Sequence, residues 1–386
     1  MQTEGVINMA KFCQKGVFFT TFSILVGCGL VNRSHYNKGI YGGQSPTLEL
    51  EDTSGEPNSA NAGSLPPRPT RPPQPQGTPP PTDEMEILNT GTPQCIQQHF
   101  DKIGKDSVKP ATLSSNIDDL IAESYDTNNP INLYDFILRK IVTPDTGLVN
   151  YDALKPGGEW ETAWNLVVTL LSQSPFPGPE STQGQRIAFW TNAYNIHMID
   201  LVVRTEGTVT SDGKVNTKLF RGSPKKYKRN YGDLSLSLDD IEKRILRLTG
   251  VNEPIDTVTS PDNVDPRLHF ALVCGAKSCP RLRNFAYRET NIERALDENA
   301  HLFFNDTQNH FFLAGDQYKF SSLLSFFPGD FDILKSRFSL ADFVVEGCRS
   351  DSVPAKSFLS GIASFEELKA SGVDVYVAYD WTLNKQ

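Results

Sequence analysis

Long hydrophobic runs and an excess of positive charge are both absent from this chain. The mean hydropathy is −0.36, and the one short apolar run lies near the N-terminus, which excludes a protein with several membrane-spanning helices. The chain has 37 Lys and Arg residues against 46 Asp and Glu residues, for a formal charge of −9. Because polyanions require clustered positive charge, nucleic acid is not an expected partner.

Cysteine is scarce as well, with six residues in a chain of 386, and no internal repeat is visible. A chain of this length can bury a large apolar core without depending on a dense disulfide framework. Composition therefore predicts a globular protein and names no chemistry.

The first residues have the character of a targeting signal. Lys11 and Lys15 precede an apolar stretch that is too short to cross ~30 Å of hydrocarbon, and it ends in Leu25-Val26-Gly27-Cys28. This tetrapeptide resembles the bacterial lipobox, in which the cysteine sulfur carries a lipid with acyl chains such as palmitate. We expect a signal peptide over 1–27 and attachment of the protein to a membrane surface through Cys28. An ordinary signal peptide that happens to contain Cys28 is the alternative.

Residues 28–93 show almost no apolar periodicity, and positions 65–81 contain nine prolines. Such a segment supports neither a helix nor a strand ladder, so it predicts an extended, disordered linker. A proline-rich ligand for a recognition domain is the sharper alternative. The globular domain is expected over 95–386.

Apolar periodicity in this domain predicts helices first and strands later, which favours an α+β fold over a doubly wound sheet. Helices are expected over 112–125, 131–141, 159–172 and 183–204, the last of them buried almost all round. Residues 234–242 are expected to form a short strand running into a helix capped near Ser237 or Asp239, and further strands are expected at 269–274 and 373–379. The architecture expected is a core helix packed on a mostly antiparallel sheet.

A loop with two cysteines follows the expected strand at 269–274. Cys274 and Cys279 lie beside Lys277, and a cation together with exposed backbone amides would lower a thiol pKa. Cys279 is the preferred nucleophile, with His269 as its base. A Cys274–Cys279 disulfide and inert packing remain open alternatives. Zinc is weaker because no second ligand pair follows, so neither a metal nor a cofactor is expected.

Two further segments carry polar groups that bear on a site. The buried helix holds Trp190, Asn192 and Asn195, whose amides must bond to a neighbouring strand or orient a site. His197 lies in the same helix, and it suits a hydrogen-bonded core histidine as well as a site residue. Asp380 follows the last expected strand and would orient a histidine in a Cys-His-Asp arrangement, although a turn carboxylate is the simpler interpretation.

The mature domain retains an even number of cysteines, at 95, 274, 279 and 348, in a compartment expected to be oxidising. Three complete pairings are possible. We favour Cys95–Cys348, which would tie the start of the domain to its C-terminal region.

Four segments in this order resemble the family called domain of unknown function 547. They are Phe189-Trp-Thr-Asn-Ala-Tyr-Asn195, Leu236-Ser-Leu-Asp-Asp-Ile-Glu242, Asp265-Pro-Arg-Leu-His-Phe-Ala-Leu-Val-Cys-Gly-Ala-Lys-Ser-Cys-Pro280 and Tyr379-Asp-Trp-Thr-Leu-Asn384. The resemblance runs from about Leu133 to the C-terminus. The family is found in bacterial envelope proteins and in plant proteins. The resemblance implies a protein of the bacterial envelope with a papain-like or transglutaminase-like fold.

The chain departs from that pattern at three places. Lys243 stands where members often have histidine, and Arg281 where a second proline is usual. The core helix also opens without the cysteine that papain-like enzymes have there, so either Cys279 replaces it from another loop or the catalytic chemistry has been lost.

Three functions follow as expectations. A thiol-dependent acyl hydrolase or transferase would use Cys279, His269 and Asp380, with Asn192 or loop amides holding the oxyanion and with Trp190, Asn195, Cys274 and Lys277 lining the pocket. A non-catalytic module would bind a peptide or glycan in the same cleft. Thiol–disulfide exchange is weakened because four residues, not two, separate Cys274 from Cys279. The expected location is the bacterial envelope, on the outer membrane where one exists.

Overall fold

The computed structural model describes residues 88–178, 180–222, 225–247, 265–332 and 338–386. The predicted signal peptide, the lipid-bearing Cys28 and nearly all of the predicted linker lie outside these residues. The described part is an α+β fold, as predicted. None of its helices is long and apolar enough to span a membrane.

Five helices come first in the chain: α1 Gln94–Lys102, α2 Ile117–Thr127, α3 Ile131–Ile141, α4 Glu161–Gln173 and α5 Gln183–Arg204. Helices α3 and α5 have the predicted bounds, the ends of α2 and α4 differ from the predicted ones by one to five residues, and α1 lies outside the predicted helices. Helix α5 begins at a capping box, in which the Thr182 hydroxyl accepts from the Gln185 amide and the Gln185 side chain accepts from the Thr182 amide. It is buried along most of its length, so it forms the centre of the first half of the domain.

A short hairpin and a π-helix follow α5. Strands β1 Arg229–Tyr231 and β2 Leu234–Leu236 pair antiparallel, with Tyr231 opposite Leu234. The π-helix Asp240–Leu246 comes next and packs on α5. The Ser237 hydroxyl accepts from the Asp240 amide, which confirms the predicted cap.

The second half contains α6 Ile292–Asn305, β3 Phe311–Ala314, β4 Gln317–Ser321, α7 Leu323–Phe326, α8 Ser352–Ser360, α9 Phe365–Ala370 and β5 Tyr376–Val377. Strands β3 and β4 are antiparallel, and β5 joins β4 in parallel, with Phe320 opposite Tyr376. The described sheets are therefore small and mostly antiparallel.

Two predicted strands are wrong in form. The segment at 269–274 is not a strand, because Asp265 caps a 3₁₀ helix, Pro266–Phe270, with proline in its first turn. The predicted strand at 373–379 shrinks to two residues. Beyond Val377 the chain leaves β4 and pairs with other segments, so no longer strand forms there.

The apolar core has two large parts. One joins α2–α5 to the π-helix around Trp164 and Trp190, and the other joins α6, β3 and β4 to α8 and α9 around Phe304 and Phe320. The predicted disulfide Cys95–Cys348 is confirmed, with its alpha carbons 5.3 Å apart, and it lies against a third, smaller cluster.

Candidate functional site

The two-cysteine loop is held by the C-terminal segment through main-chain hydrogen bonds. The Lys277 amide donates to the Thr382 carbonyl at 2.8 Å, and the Ser278 amide donates to the Asp380 carbonyl at 3.2 Å. Gly275 opens the loop with φ of +75°, and a Cβ there would come within 2.8 Å of Met198 Cε. The positive φ therefore favours glycine at this turn, and main-chain hydrogen bonds hold the loop to the C-terminal segment.

Cys274 and Cys279 form a disulfide within this loop. The Cys274 amide donates to Cys279 Sγ at 3.1 Å. The hydroxyl of Tyr379 lies 3.2 Å from Cys274 Sγ and 3.3 Å from Cys279 Sγ. Both sulfurs thus share one phenolic hydroxyl, and Cys279 has a second hydrogen-bond donor.

Asn195 links this loop to the core helix. Its side-chain amide donates to the Ala271 carbonyl at 3.0 Å, and its oxygen accepts from the Val273 amide at 3.0 Å. Both backbone groups lie just before Cys274. Of the two roles that the sequence left open for this asparagine, the structure assigns the structural one: it holds the segment that carries the first cysteine.

His269 is held by carboxylates on other elements. Its Nε2 lies 2.7 Å from Asp330 Oδ2, its Nδ1 lies 3.8 Å from Glu242 Oε1, and its ring stacks on Phe327. Among the described residues no hydrogen bond joins His269 to either sulfur or to Asp380. The predicted site is thus divided, with the sulfurs at Tyr379 and the histidine at Asp330.

Buried charges surround this histidine. Arg247 Nη2 lies 2.6 Å from Asp330 Oδ2, and its guanidinium stacks over Phe327. Burial raises the pKa of Glu242, although His269 and Arg247 partly oppose the shift. Burial also disfavours the charged form of Asp330, but hydrogen bonds from His269 and Arg247 outweigh it and lower its pKa to about 2.

Asp380 and Lys277 lie at the surface beside the loop. The Asp380 carboxylate accepts from the Thr382 amide at 2.9 Å, and these hydrogen bonds lower its pKa. Its backbone pairs with Ser278, so the structure does bring the segment that carries Asp380 to the cysteine loop. The carboxylate itself occupies a turn.

Asn192 and Trp190 serve packing in this structure. The Asn192 amide donates to the Tyr287 carbonyl at 2.7 Å, and its oxygen accepts from the Tyr287 amide at 3.0 Å. Trp190 is fully buried against Phe176, Phe189 and Tyr231. His197 is a neutral core histidine, because burial lowers its pKa to about 3 while Nε2 bonds to the Tyr227 carbonyl.

Acyl transfer by Cys279, with His269, Asp380 and Asn192 in support, stays a prediction. This reaction requires that Cys274 and Cys279 be reduced. It also requires a base beside Cys279, whereas His269 contacts Asp330 and Glu242. No cluster of His, Cys, Asp and Glu suited to a metal ion occurs among the described residues.

A groove of about 700 Å³ has Asn192 in its lining. It runs between the α2–α3 junction, the segment after α4, the first turns of α5 and residues 287–290. Tyr134, Leu171 and Phe189 contribute apolar surface, and Pro130 and Pro175 lie at its sides. Its volume is within the range of ligand-binding pockets.

Sequence reasoning missed Glu242, Arg247, Asp330 and Tyr379. Glu242 and Tyr379 do fall within segments that carry the family resemblance, so the signal for them was present. Asp330 follows Pro328-Gly329 in a segment with no such signal, and only the fold brings it to His269.

Together these features define an α+β domain in which a disulfide-bridged loop, a core helix and the C-terminal segment meet. Residues 179–304 match the family model "Protein of unknown function, DUF547", which supports the DUF547 family. No curated protein and no solved structure matches the chain.

Proposed function

We propose that this protein is a lipid-anchored protein of the bacterial envelope whose globular domain binds an extended, uncharged peptide segment. The groove beside α5 carries the proposal, because it combines apolar surface, flanking prolines and polar groups in a volume of about 700 Å³. Extended proline-containing peptides dock in aromatic-lined grooves of this kind with little loss of conformational entropy.

The charges on the rim of the groove favour an uncharged ligand. Glu289 accepts hydrogen bonds from the Thr182 hydroxyl at 2.7 Å and from the Gln185 side chain at 2.9 Å. Arg288 Nη2 lies 3.1 Å from Asp135 and 2.8 Å from the Asn132 side chain. Because each charge is already engaged within the protein, an ionic ligand would have to displace these partners.

Phe189 is the side chain that a ligand would meet in the groove. It is only partly buried, although it lies between the fully buried Ala188 and Trp190 on α5. An apolar ligand side chain placed on this ring would bury more of it, and aromatic contacts of this kind dominate binding energies at peptide sites.

The anchor rests on Leu25-Val26-Gly27-Cys28 and the basic apolar segment before it. Lipid on Cys28 would hold the domain at the membrane surface with the proline-rich segment between them. Intact-mass analysis of the mature protein is expected to show cleavage before Cys28 and added lipid; an unmodified Cys28 would contradict the anchor.

Peptide binding is tested with fluorescein-labelled, uncharged decapeptides rich in proline and leucine, measured by fluorescence anisotropy against a Gly/Ser decapeptide. Phe189→Ala is expected to weaken binding at least tenfold. Phe326→Ala is the matched control, because Phe326 is 43% exposed and lies outside the groove.

Two results would contradict the peptide proposal. One is binding no stronger than that of the Gly/Ser peptide, and the other is an unchanged affinity of the Phe189→Ala variant. Binding of a cell-wall oligosaccharide in place of the peptides would assign the groove to a glycan.

A further inference from the structure

The two sulfurs of the Cys274–Cys279 disulfide have different surroundings. Cys279 is buried, with 5% of its surface exposed, whereas Cys274 is partly exposed. Because Cys274 is the more exposed of the two residues, we expect an external thiol to reach Cys274 in preference to Cys279. Attack on one particular sulfur is the first requirement of directed thiol–disulfide exchange.

Among the described contacts, Cys279 Sγ also has one more hydrogen-bond donor than Cys274 Sγ to stabilise negative charge. Cys279 Sγ lies 3.1 Å from the Cys274 amide and 3.3 Å from the Tyr379 hydroxyl, and both groups can donate to a thiolate. Hydrogen bonds to the charged form lower a thiol pKa, and a thiol of lower pKa leaves faster in exchange.

We propose that Cys274–Cys279 is a redox-active disulfide that external dithiols reduce, with Cys274 as the sulfur attacked and Cys279 as the leaving thiolate. This role is independent of the peptide groove, whose lining residues include neither cysteine nor Tyr379.

The exchange balances as follows. A dithiol in its thiolate form attacks Cys274 Sγ, the S–S bond breaks, and its electron pair passes to Cys279 as a thiolate held by the Cys274 amide and Tyr379. The second thiol of the dithiol loses its proton to solvent. It then attacks the dithiol's first sulfur, which is bonded to Cys274 Sγ in the mixed disulfide. It releases Cys274, which takes up a proton, and the dithiol leaves as a cyclic disulfide. The protein gains two electrons and the dithiol loses them.

Tyr379 is suited to act as the donor. Burial and the carboxylate of Glu242 raise its pKa, so the hydroxyl keeps its proton while thiols titrate. Among the described residues, the charged groups that act on Tyr379 or lie beside Asp380 are Glu242 on the π-helix and Lys277 and Lys214 at the surface. Of these, the two lysines favour a thiolate.

The first experiment follows equilibrium reduction of the whole protein in buffers of reduced and oxidised dithiothreitol. Free thiols are alkylated and mapped by mass spectrometry, and Cys95–Cys348 in the same molecule serves as the internal reference. Cys274–Cys279 is expected to be reduced at dithiol ratios that leave Cys95–Cys348 oxidised. Reduction of both disulfides at the same ratio, or of Cys95–Cys348 first, would overturn the proposal.

Tyr379→Phe removes one donor to the thiolate while keeping the ring. It is expected to lower the equilibrium constant for reduction about tenfold, which corresponds to about 30 mV for two electrons. Tyr376→Phe is the matched control, because the buried Tyr376 hydroxyl has no hydrogen-bond partner among the described residues. An unchanged constant in Tyr379→Phe, or an equal shift in Tyr376→Phe, would contradict the role of this hydroxyl.

The direction of attack is tested in the native protein without any substitution. Brief reaction with glutathione followed by iodoacetamide is expected to leave glutathione on Cys274 and the alkyl group on Cys279. Glutathione on Cys279, or an equal mixture, would show that the buried sulfur is not the leaving group.

Discussion

The two disulfides of the domain differ in span and in surroundings. Cys95–Cys348 joins residues 253 positions apart, and it packs on Ile96 and Phe100 of α1 together with Leu302 and Val345. Cys274–Cys279 joins residues five positions apart, and its sulfurs contact the Tyr379 hydroxyl and a backbone amide.

This contrast separates a structural bridge from a chemical one. The stabilisation by a disulfide grows with the loop that it closes, so the long bridge restricts the unfolded chain far more than the short one does. The short bridge adds less stability than the long one, and its sulfurs contact hydrogen-bond donors. These surroundings suit thiol–disulfide exchange better than stabilisation of the fold.

Both cysteine segments are nevertheless held in the same way, by one asparagine from a helix. Asn195 of α5 bonds to the Ala271 carbonyl and the Val273 amide. Asn305 of α6 bonds to the Phe343 carbonyl and the Val345 amide. In each case the asparagine spans residues i and i+2 shortly before a cysteine, so the two regions offer matched substitutions.

The largest effect is expected from removing the long bridge. Replacing Cys95 and Cys348 by serine should lower the free energy of unfolding by up to about 5 kcal/mol, whereas the same change at Cys274 and Cys279 should cost less than about 3 kcal/mol. Urea unfolding of both double variants measures the difference. An equal or larger loss for the short bridge would mean that Cys274–Cys279 is the structural one.

An intermediate effect is expected from the two asparagines. Asn195→Ala leaves a buried carbonyl and a buried amide unpaired and should cost about 2–4 kcal/mol. Asn305 is only partly buried, so water can replace its side chain and Asn305→Ala should cost about 1 kcal/mol.

The rate at which dithiothreitol reduces each disulfide shows whether the effect of Asn195→Ala is local. Asn195→Ala should speed reduction of Cys274–Cys279 and leave Cys95–Cys348 unaffected, because it loosens only the segment before Cys274. Faster reduction of both bridges would show that the substitution loosens the whole domain.

The smallest effect is expected from the glycines next to each bridge. Gly275 and Gly347 both have positive φ, but a Cβ at 275 meets Met198 Cε at 2.8 Å whereas a Cβ at 347 meets nothing within 4 Å. Gly347→Ala should therefore cost about 1 kcal/mol from the backbone alone, and Gly275→Ala about 2 kcal/mol. Equal midpoints of thermal unfolding would show that Met198 moves aside freely.

Local pattern predicted much of this protein. Apolar positions at helical spacing predicted α3 and α5 with the bounds that the structure has, and the Thr182 and Gln185 side chains provide the start signal of α5. The α+β class was predicted from the order of the helix and strand signals along the chain. Each of these signals depends on residues only a few positions apart, so it can be detected in the sequence.

Local pattern predicted the wrong structure where a short apolar segment is compatible with more than one backbone conformation. The apolar residues from His269 to Cys274 suit a strand, but the Asp265 cap and Pro266 start a 3₁₀ helix, and Asn195 takes up the backbone groups that a neighbouring strand would have used. At the C-terminus, the cysteine loop competes with β4 for the backbone beyond Val377 and shortens the predicted strand to two residues.

The sequence by itself determined helices α2 to α5, the fold class and the favoured pairing of Cys95 with Cys348. Only the tertiary structure decided that His269 meets Asp330, 61 positions away, and that Tyr379 reaches Cys274, 105 positions away. Helix signals repeat every few residues and can be detected along the chain, whereas a contact between distant side chains depends on how whole elements pack, which no local pattern records.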